Sequence, residues 1–487
     1  MSRRSTNPWV VLVIICLAQF MVVLDATIVN VALPHIQSSL GFNEASLQWV
    51  INAYTLVFAG FLLLGGRAGD LLGRKRLFLI GLVVFTAASF LNGISSTPGM
   101  LIGFRALQGF GAALISPAAL SIISTTFDEG KERARALAVW AAIAIGGSAV
   151  GLVLGGALTQ YFSWNWIFFV NVPVGILAFL AALRLVPESK DEHVHKGYDL
   201  AGAVSVTGGL MLLVYGLVNS AQHGWGSTWT IVSFVAAALL LAAFVLIEQR
   251  SAEPLVRLSI FRVRSLTTAN LSMFLAFSGM FAMFYFNTQY IQHALGFGPL
   301  KAGVAFLPFT AGIMISAGVA SALAPKIGVR PVTATGMVLT ILGLILFARM
   351  PVNGTYAADV LPGMILASLG MGAIFMPLTL VATTGLKNED QGLASGLFNT
   401  SQQVGGALGL AVLSTIAVNH TTSAALKAGP DDPSSLPSIV HGWQWAFGGA
   451  AVLVTLSLIV FVALLRKRDV ARIEAEARTD DQPVFAS

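Results

Sequence analysis

The sequence predicts an all-α membrane protein with fourteen transmembrane helices. Three observations support this fold class: 56% of the 487 residues are hydrophobic, only 10% are charged, and apolar segments recur along the whole chain. A soluble domain carries roughly 25% charged residues, so the charges here are too few to cover a surface exposed to water. Most of the exterior is therefore expected to face lipid. The 49 glycines agree with this, since small residues allow membrane helices to approach closely.

Fourteen segments have the length of about 20 apolar residues that a spanning helix needs. They are residues 9–33, 46–66, 77–96, 100–123, 135–159, 166–186, 199–219, 228–248, 266–291, 299–323, 331–349, 358–380, 395–418 and 442–465. The first is too long for the apolar core of a signal peptide, so we expect it to be retained. The single cysteine, Cys16, excludes an intramolecular disulfide and a multi-cysteine metal site, and no metal is expected.

Basic residues are unevenly distributed between the connecting segments. An even number of spans puts both termini on one side of the membrane. If that side is the cytoplasm, 24 of the 28 Lys and Arg residues are cytoplasmic, and only Lys301, Arg349 and Lys427 lie outside. This bias follows the positive-inside rule and predicts that both termini are cytoplasmic. It also accounts for the net charge of +6, so no nucleic-acid partner is expected.

Weak internal repetition suggests how the spans are grouped. The G-x3-G pattern of residues 147–151, in the fifth span, returns at 405–409 in the thirteenth. Many membrane proteins are built from two such structural repeats. We therefore predict an N-terminal six-helix bundle (1–186), a linker with two inserted helices (187–250), and a C-terminal six-helix bundle with a cytoplasmic tail (251–487).

Two charged side chains stand out because they lie well within predicted spans, where charge is costly and indicates function. Asp25 is about eight residues from the outer end of the first span, and Arg105 is about five from the outer end of the fourth. At 1.5 Å per residue, their depths are roughly 12 and 8 Å, so the two side chains can reach each other. Asp25 is then a candidate for a carboxyl group that takes up and releases a proton. A fixed structural ion pair is the alternative.

Five motifs in order along the chain carry a family resemblance. Residues 66–76, between the second and third spans, read G-x3-D-x2-G-R-K-R, which resembles the loop signature of the major facilitator superfamily. Residues 101–112 resemble its buried-arginine motif, and 147–156 its glycine-rich antiporter motif. Residues 24–34 and 164–175 resemble motifs typical of its fourteen-helix drug:proton antiporter branch.

The resemblance implies a major facilitator fold and proton-coupled efflux of amphipathic small molecules, such as drugs and antibiotics, by alternating access. It implies a monomer in a bacterial plasma membrane whose partners are its small-molecule substrates, protons and the lipid bilayer. The proton gradient would supply the energy, and neither a cofactor nor an enzymatic activity is expected. Three alternatives stay open: a dedicated exporter of one endogenous metabolite, lipid or antibiotic; a proton-coupled importer or uniporter; and a receptor or enzyme that does not transport.

The resemblance also assigns roles to residues. Asp25 and Arg105 are implied to act in proton coupling. The residues implied to form a cytoplasmic gate are Gly66, Asp70, Gly73 and Arg74. An ordinary positive-inside loop is the alternative for this segment. The residues implied to form a close-packed hinge against a helix of the other half are Gly147, Gly151, Gly155 and Gly156. Simple tight packing is the alternative for these glycines.

Scattered polar residues in mostly apolar spans predict a cavity suited to amphipathic ligands. The candidate cavity residues are Asn30, Asn52, Gln108, Tyr285, Gln289, Asn399, Gln402 and Asp359. Interhelical hydrogen bonding is an equally good interpretation for any one of them. Asp359, near the outer end of the twelfth span, is either an interfacial residue or a second coupling carboxylate.

Overall fold

The computed structural model describes residues 7–127, 131–189, 199–251, 254–383, 386, 388–428 and 436–465. This part of the chain contains helices and their connections and no strand. Thirteen of its helical stretches are long and apolar enough to cross a membrane. The remaining predicted span, 135–159, lies on the 31-residue helix Lys131–Tyr161. The predicted all-α membrane fold is therefore confirmed, whereas the predicted tail and most of the predicted linker lie outside the described residues.

The helices are numbered in chain order. They are α1 (Pro8–Leu40), α2 (Glu44–Leu47), α3 (Trp49–Leu72), α4 (Arg74–Gly93), α5 (Pro98–Thr126), α6 (Lys131–Tyr161), α7 (Trp166–Phe169), α8 (Asn171–Leu185), α9 (Leu200–His223), α10 (Thr228–Arg250), α11 (Arg264–Gln289), α12 (Pro299–Ala305), α13 (Leu307–Ile327), α14 (Val329–Phe347), α15 (Leu361–Thr383), α16 (Asn388–Ala428) and α17 (Leu436–Leu464). A 3₁₀ turn covers Leu258–Arg262, and π-helical turns cover Tyr290–Ala294 and Tyr356–Val360.

Local sequence explains where helices begin and end. The Asn7 side chain accepts the backbone N–H of Trp9 at 3.0 Å, and Pro8 takes the first position of α1, where no N–H is needed. Thr97 caps α5 in the same way, ahead of Pro98. Helix α1 ends at Leu40, and the next residue, Gly41, has a left-handed conformation (φ 73°) that glycine adopts without steric cost.

Contacts between helices divide the chain into two compact units. The first comprises Met1–Leu255 and Phe297–Ala305, and therefore contains α1 to α10 and α12. Within it, α5 packs against α3 and α4, α6 packs against α1 and α12, and α8 packs against α4. This packing brings α1, α4, α5 and α8 around one buried region.

The two predicted inserted helices, α9 and α10, also belong to the first unit. They pack on each other, and α9 packs on α3. At this contact Thr207 fills the space beside Gly60, where a Cβ atom would overlap the threonine side chain. The three-part division drawn from the sequence stays a prediction, because compact contact units need not coincide with domains.

The second unit comprises Val256–Gly296 and Phe306–Ser487. Here α11 packs against α16 and α17, and α15 packs against α13 and α14. Aromatic rings fill its core: Phe347 and Phe447 have centroids 5.3 Å apart. The Tyr290 hydroxyl donates to the Pro351 carbonyl at 2.6 Å, which ties α11 to the connection between α14 and α15.

Candidate functional site

A buried ion pair lies at the centre of the polar residues in the first unit. Asp25, on α1, is 0% exposed, and Arg105, on α5, is 1% exposed. Arg105 Nη1 donates to Asp25 Oδ2 at 2.5 Å. The structure therefore places in contact the two charged side chains that the sequence put at similar depths in the membrane.

Two amide side chains donate to the other carboxylate oxygen. Gln108 Nε2 lies 2.8 Å from Asp25 Oδ1, and Asn171 Nδ2 lies 2.9 Å from the same atom. Gln108 reaches the site because it follows Arg105 by three residues on one face of α5, whereas Asn171 is the first residue of α8. The donors suit an ionised carboxylate, which only accepts hydrogen bonds.

Helix α4 supplies a second layer that orients these amides. Ser89 Oγ accepts from Gln108 Nε2 at 3.2 Å and from Asn171 Nδ2 at 3.1 Å, and it donates to the Phe168 carbonyl at 2.9 Å. Asn92 Nδ2 donates to Gln108 Oε1 at 2.7 Å. These bonds leave one N–H group of each amide directed at Asp25.

Arg105 is held on several sides. Its Nε donates to the Val50 carbonyl at 2.9 Å, and its Nη1 also donates to Gln108 Oε1 at 2.8 Å. The guanidinium carbon lies 4.4 Å from the centre of the Tyr54 ring, a cation–π distance. Arg105 therefore contacts three neutral groups as well as the charged carboxylate of Asp25.

The predicted gate residues lie where α3 meets α4. Gly66 is within α3 and has ordinary van der Waals space beside it. Gly73 separates the helices with φ 106°, a value that residues with a side chain rarely adopt. Arg74 begins α4, and its backbone N–H donates to the Ser189 carbonyl at 3.0 Å. The side chain of Asp70 lies outside the described residues.

Glu188, whose role no local sequence pattern indicates, caps α4. Its Oε1 accepts the backbone N–H of Lys75 at 3.1 Å, and its Oε2 lies 3.7 Å from Arg76 Nε. A Cβ atom at Gly73 would stand 2.6 Å from Glu188 Oε1, so only glycine leaves room for the carboxylate. A negative charge at the first turn of a helix also interacts favourably with the helix dipole. The segment after α8 therefore stabilises the start of α4.

Three of the predicted hinge glycines face α1. Residues 147, 151 and 155 are spaced four apart and form one stripe on α6. A Cβ atom at Gly151 would overlap Thr27 and lie 3.1 Å from the Leu24 carbonyl oxygen, and one at Gly155 would lie 2.7 Å from the carbonyl oxygen of Ile28. These glycines allow α6 to pack directly on the segment of α1 that carries Asp25.

The prediction that these glycines contact the other half of the sequence is therefore wrong for Gly147, Gly151 and Gly155. Gly156 is rotated by about 100° around the helix from Gly155 and faces α12 instead. A Cβ atom at Gly156 would lie 2.5 Å from the Pro299 carbonyl oxygen. Pro299 comes from the second half of the sequence but belongs to the first compact unit.

Three predicted cavity residues lie in the first unit. Asn30 Nδ2 donates to the Ala26 carbonyl of its own helix at 3.1 Å. Asn52 is buried, its Nδ2 lies 3.4 Å from Gln48 Oε1, and its Oδ1 has no hydrogen-bond partner among the described residues. Gln108 belongs to the Asp25 network.

Four more lie on α11 and α16 of the second unit. Tyr285 and Gln289 are buried, and Gln289 Oε1 has no partner within the described part of the chain. Asn399 is exposed and donates to a carbonyl of its own helix at 3.1 Å, and Gln402 is half-buried.

Asp359 serves locally as a helix cap. Its Oδ2 accepts the backbone N–H of Thr355 at 2.6 Å. The Thr355 hydroxyl lies 3.4 Å from the backbone nitrogen of Ala358, so the two side chains cap the turn reciprocally. Asp359 is half-buried at the start of its span, the position expected of an interfacial residue.

Sequence reasoning did not assign Ser89, Asn92 or Asn171 to the site. Serine and asparagine are ordinary in membrane helices, so composition gave no signal. The position of Asn171 inside the motif at 164–175 was the one available indication. No group of three or more His, Cys, Asp or Glu side chains that could hold a metal ion occurs in the part of the chain described by the structure.

Known proteins resemble this chain in sequence and in fold. It is 38% identical over 469 residues to the puromycin resistance protein pur8 of Streptomyces alboniger, covering 96% of this chain and 93% of that protein. It is 40% identical over 425 residues to the cephamycin export protein CmcT of Amycolatopsis lactamdurans, covering 86% and 87%. It is 36% identical over 400 residues to the multidrug resistance protein Stp of Mycobacterium tuberculosis, covering 82% and 74%.

The crystal structure of the peptide transporter POT in complex with sulfate superposes with a TM-score of 0.68 at 14% identity, covering 94% of this chain and 95% of that chain. This likeness concerns the fold alone. The family model described as Major Facilitator Superfamily matches residues 15–410, and the five motifs predicted the same assignment. The chain is a multi-pass membrane protein that belongs to the major facilitator superfamily.

Proposed function

We propose that this protein exports amphipathic small molecules, antibiotics among them, across the cytoplasmic membrane in exchange for protons. The observation that carries the proposal is the Asp25–Arg105 pair, which is buried within membrane-spanning helices. Ionisable groups are rarely placed there without a functional role. The names of the relatives, for resistance or export, support the direction of transport.

The network has the parts that proton coupling needs. A proton on Asp25 removes the carboxylate charge and weakens the bond to Arg105, which then relies on Val50, Gln108 and the Tyr54 ring. In the proposed cycle the outward-open state takes up a proton at Asp25 and releases substrate. The inward-open state releases the proton and binds substrate again. The network contains one carboxylate, Asp25, which favours a low proton stoichiometry.

The proton gradient is the energy source, and no cofactor or enzymatic step is invoked. The basic residues favour cytoplasmic termini, and the organisms of the relatives favour a bacterial plasma membrane. We propose that the monomer is the transporting unit.

A second candidate function is export of a single compound. Two relatives are named for one antibiotic each, puromycin and cephamycin, and a dedicated exporter would use the same proton site. The two functions differ in how many compounds drive proton movement.

The test is dissipation of a pH gradient in proteoliposomes, with wild type beside Asp25→Asn, across a panel of lipophilic cations and neutral drugs. We expect several compounds to release protons from the wild type and none from the variant. One strong hit would favour the dedicated exporter. If no compound moved protons, or if Asp25→Asn behaved as wild type, proton exchange at Asp25 would be wrong.

A further inference from the structure

The two oxygens of Asp25 have different surroundings. Oδ1 accepts two amide N–H groups, from Gln108 at 2.8 Å and from Asn171 at 2.9 Å. Oδ2 accepts from Arg105 at 2.5 Å. An ionised carboxylate offers about two lone-pair sites on each oxygen. Both sites of Oδ1 are therefore occupied by donors, whereas Oδ2 accepts from Arg105 alone among the described residues and keeps one lone pair.

This asymmetry determines where a proton can bind. A proton on Oδ1 would point an O–H group at two N–H donors, and at least one of those hydrogen bonds would have to break. A proton on Oδ2 leaves Oδ1 as a carbonyl-type oxygen that still accepts both amides. The cost then falls on the bond to Arg105, whose partner loses its negative charge.

We propose that Asn171 is a positioning residue that, with Gln108, directs the proton to Oδ2 of Asp25 and makes Arg105 the group that responds. The inference rests on the proposed proton exchange. In this step an O–H bond of a hydronium ion breaks and leaves water, its proton forms an O–H bond at Oδ2, and the carboxylate becomes neutral. No other covalent bond of the protein changes. Protonation is thereby transmitted to α5, while α1 and α8 stay joined.

Asn171 is well placed to keep that junction in both protonation states. It is 1% exposed, and its Nδ2 donates one hydrogen to Asp25 Oδ1 and one to Ser89 Oγ at 3.1 Å. Ser89 is held in turn by the Phe168 carbonyl at 2.9 Å. The amide therefore has one orientation in which both hydrogens are used.

The chain offers a matched control in Asn165, six residues earlier. Asn165 Nδ2 donates to the Gly93 carbonyl at 2.7 Å, so Asn165→Leu also removes an amide hydrogen bond, but one that does not involve Asp25. Asn171→Leu removes both donors to the network and keeps the same number and branching of side-chain heavy atoms. Comparing the two separates the effect on Asp25 from the general cost of losing an amide.

The experiment compares two rates in proteoliposomes, with ethidium as the probe cation. One is transport driven by a pH gradient, and the other is ethidium counterflow at equal pH on both sides, which requires no net protonation. A charge-assisted hydrogen bond contributes about 1.5–3 kcal/mol, so we expect Asn171→Leu to lower gradient-driven transport about tenfold or more. Counterflow should stay within about twofold of wild type, and Asn165→Leu should leave both rates within that range.

A purely structural Asn171 would give a different result, namely equal loss of both rates, and that outcome or no loss at all would overturn the inference. If Asn171→Leu does not fold, Ser89→Ala carries the test, because it releases the Asn171 amide without deleting it. A smaller selective loss of gradient-driven transport is then expected, and an unchanged ratio of the two rates would overturn the inference. Failure of proton exchange itself would appear separately, as gradient-driven transport that is absent in wild type or retained in Asp25→Asn.

Discussion

Removing Arg105 tests how strongly the buried ion pair is coupled. Arg105→Leu deletes hydrogen bonds to Val50, Asp25 and Gln108. It leaves the Asp25 carboxylate without a counter-ion among the described residues. Removing one partner of a buried pair costs about 3–5 kcal/mol. In the double variant with Asp25→Asn the isolated charge is absent. We therefore expect the sum of the costs of the two single variants to exceed the cost of the double variant by about 1.5–3 kcal/mol, the contribution of a hydrogen bond between charged groups.

The assay is unfolding of purified protein in mixed micelles as the fraction of SDS rises, followed by the fluorescence of the nine tryptophans. The Arg76–Glu188 pair is the matched control, since its atoms are 3.7 Å apart and its side chains are 75% and 36% exposed. An exposed pair of this kind contributes about 0–1 kcal/mol. A coupling energy for Asp25–Arg105 no larger than that of the control would refute the reasoning.

Two further predictions concern helix packing and capping. Gly151→Leu should abolish ethidium transport because the leucine side chain would overlap Thr27 on α1. Gly146→Leu is the control and should transport ethidium at a rate close to wild type, because no atom lies within 4 Å of a Cβ atom added there. Equal transport rates of the two variants would contradict the packing of α6 on α1. Glu188→Ala should lower the free energy of unfolding by about 0.5–2 kcal/mol, as loss of a helix cap does, because the N–H of Lys75 loses its acceptor. Unchanged stability in the SDS titration would show that Glu188 does not act as the cap.

The sequence was sufficient for the fold because its signals are local. Apolar length alone predicted where the spans lie, and the charge at Asp25 and Arg105 stood out against apolar neighbours. Their depths could be compared because helical rise is fixed. Ser89 and Asn171 could not be found this way. They are 64 and 146 residues from Asp25 in sequence, and ordinary polar residues reveal their partners only once helices are packed.

A local sequence pattern does not show which helix or side chain will pack against a given face. The spacing of Gly147, Gly151 and Gly155 predicts a face of small residues, but the same stripe suits any helix that approaches closely. The structure shows that α1 is that helix. Likewise, the turn at Gly73 is readable from its glycine, but the carboxylate that occupies the space beside it comes from Glu188, beyond α8. Such contacts depend on tertiary arrangement rather than on local pattern.

Proton release on drug binding tests the central claim most directly. Purified protein in a weakly buffered solution would be mixed with a drug that the panel has identified, and the pH change would be read with an indicator dye. Because substrate and proton alternate at Asp25 in the proposed cycle, wild type should release about one proton for each drug bound, and Asp25→Asn should release none. Binding without proton release in wild type, or equal release from the variant, would contradict proton exchange at Asp25.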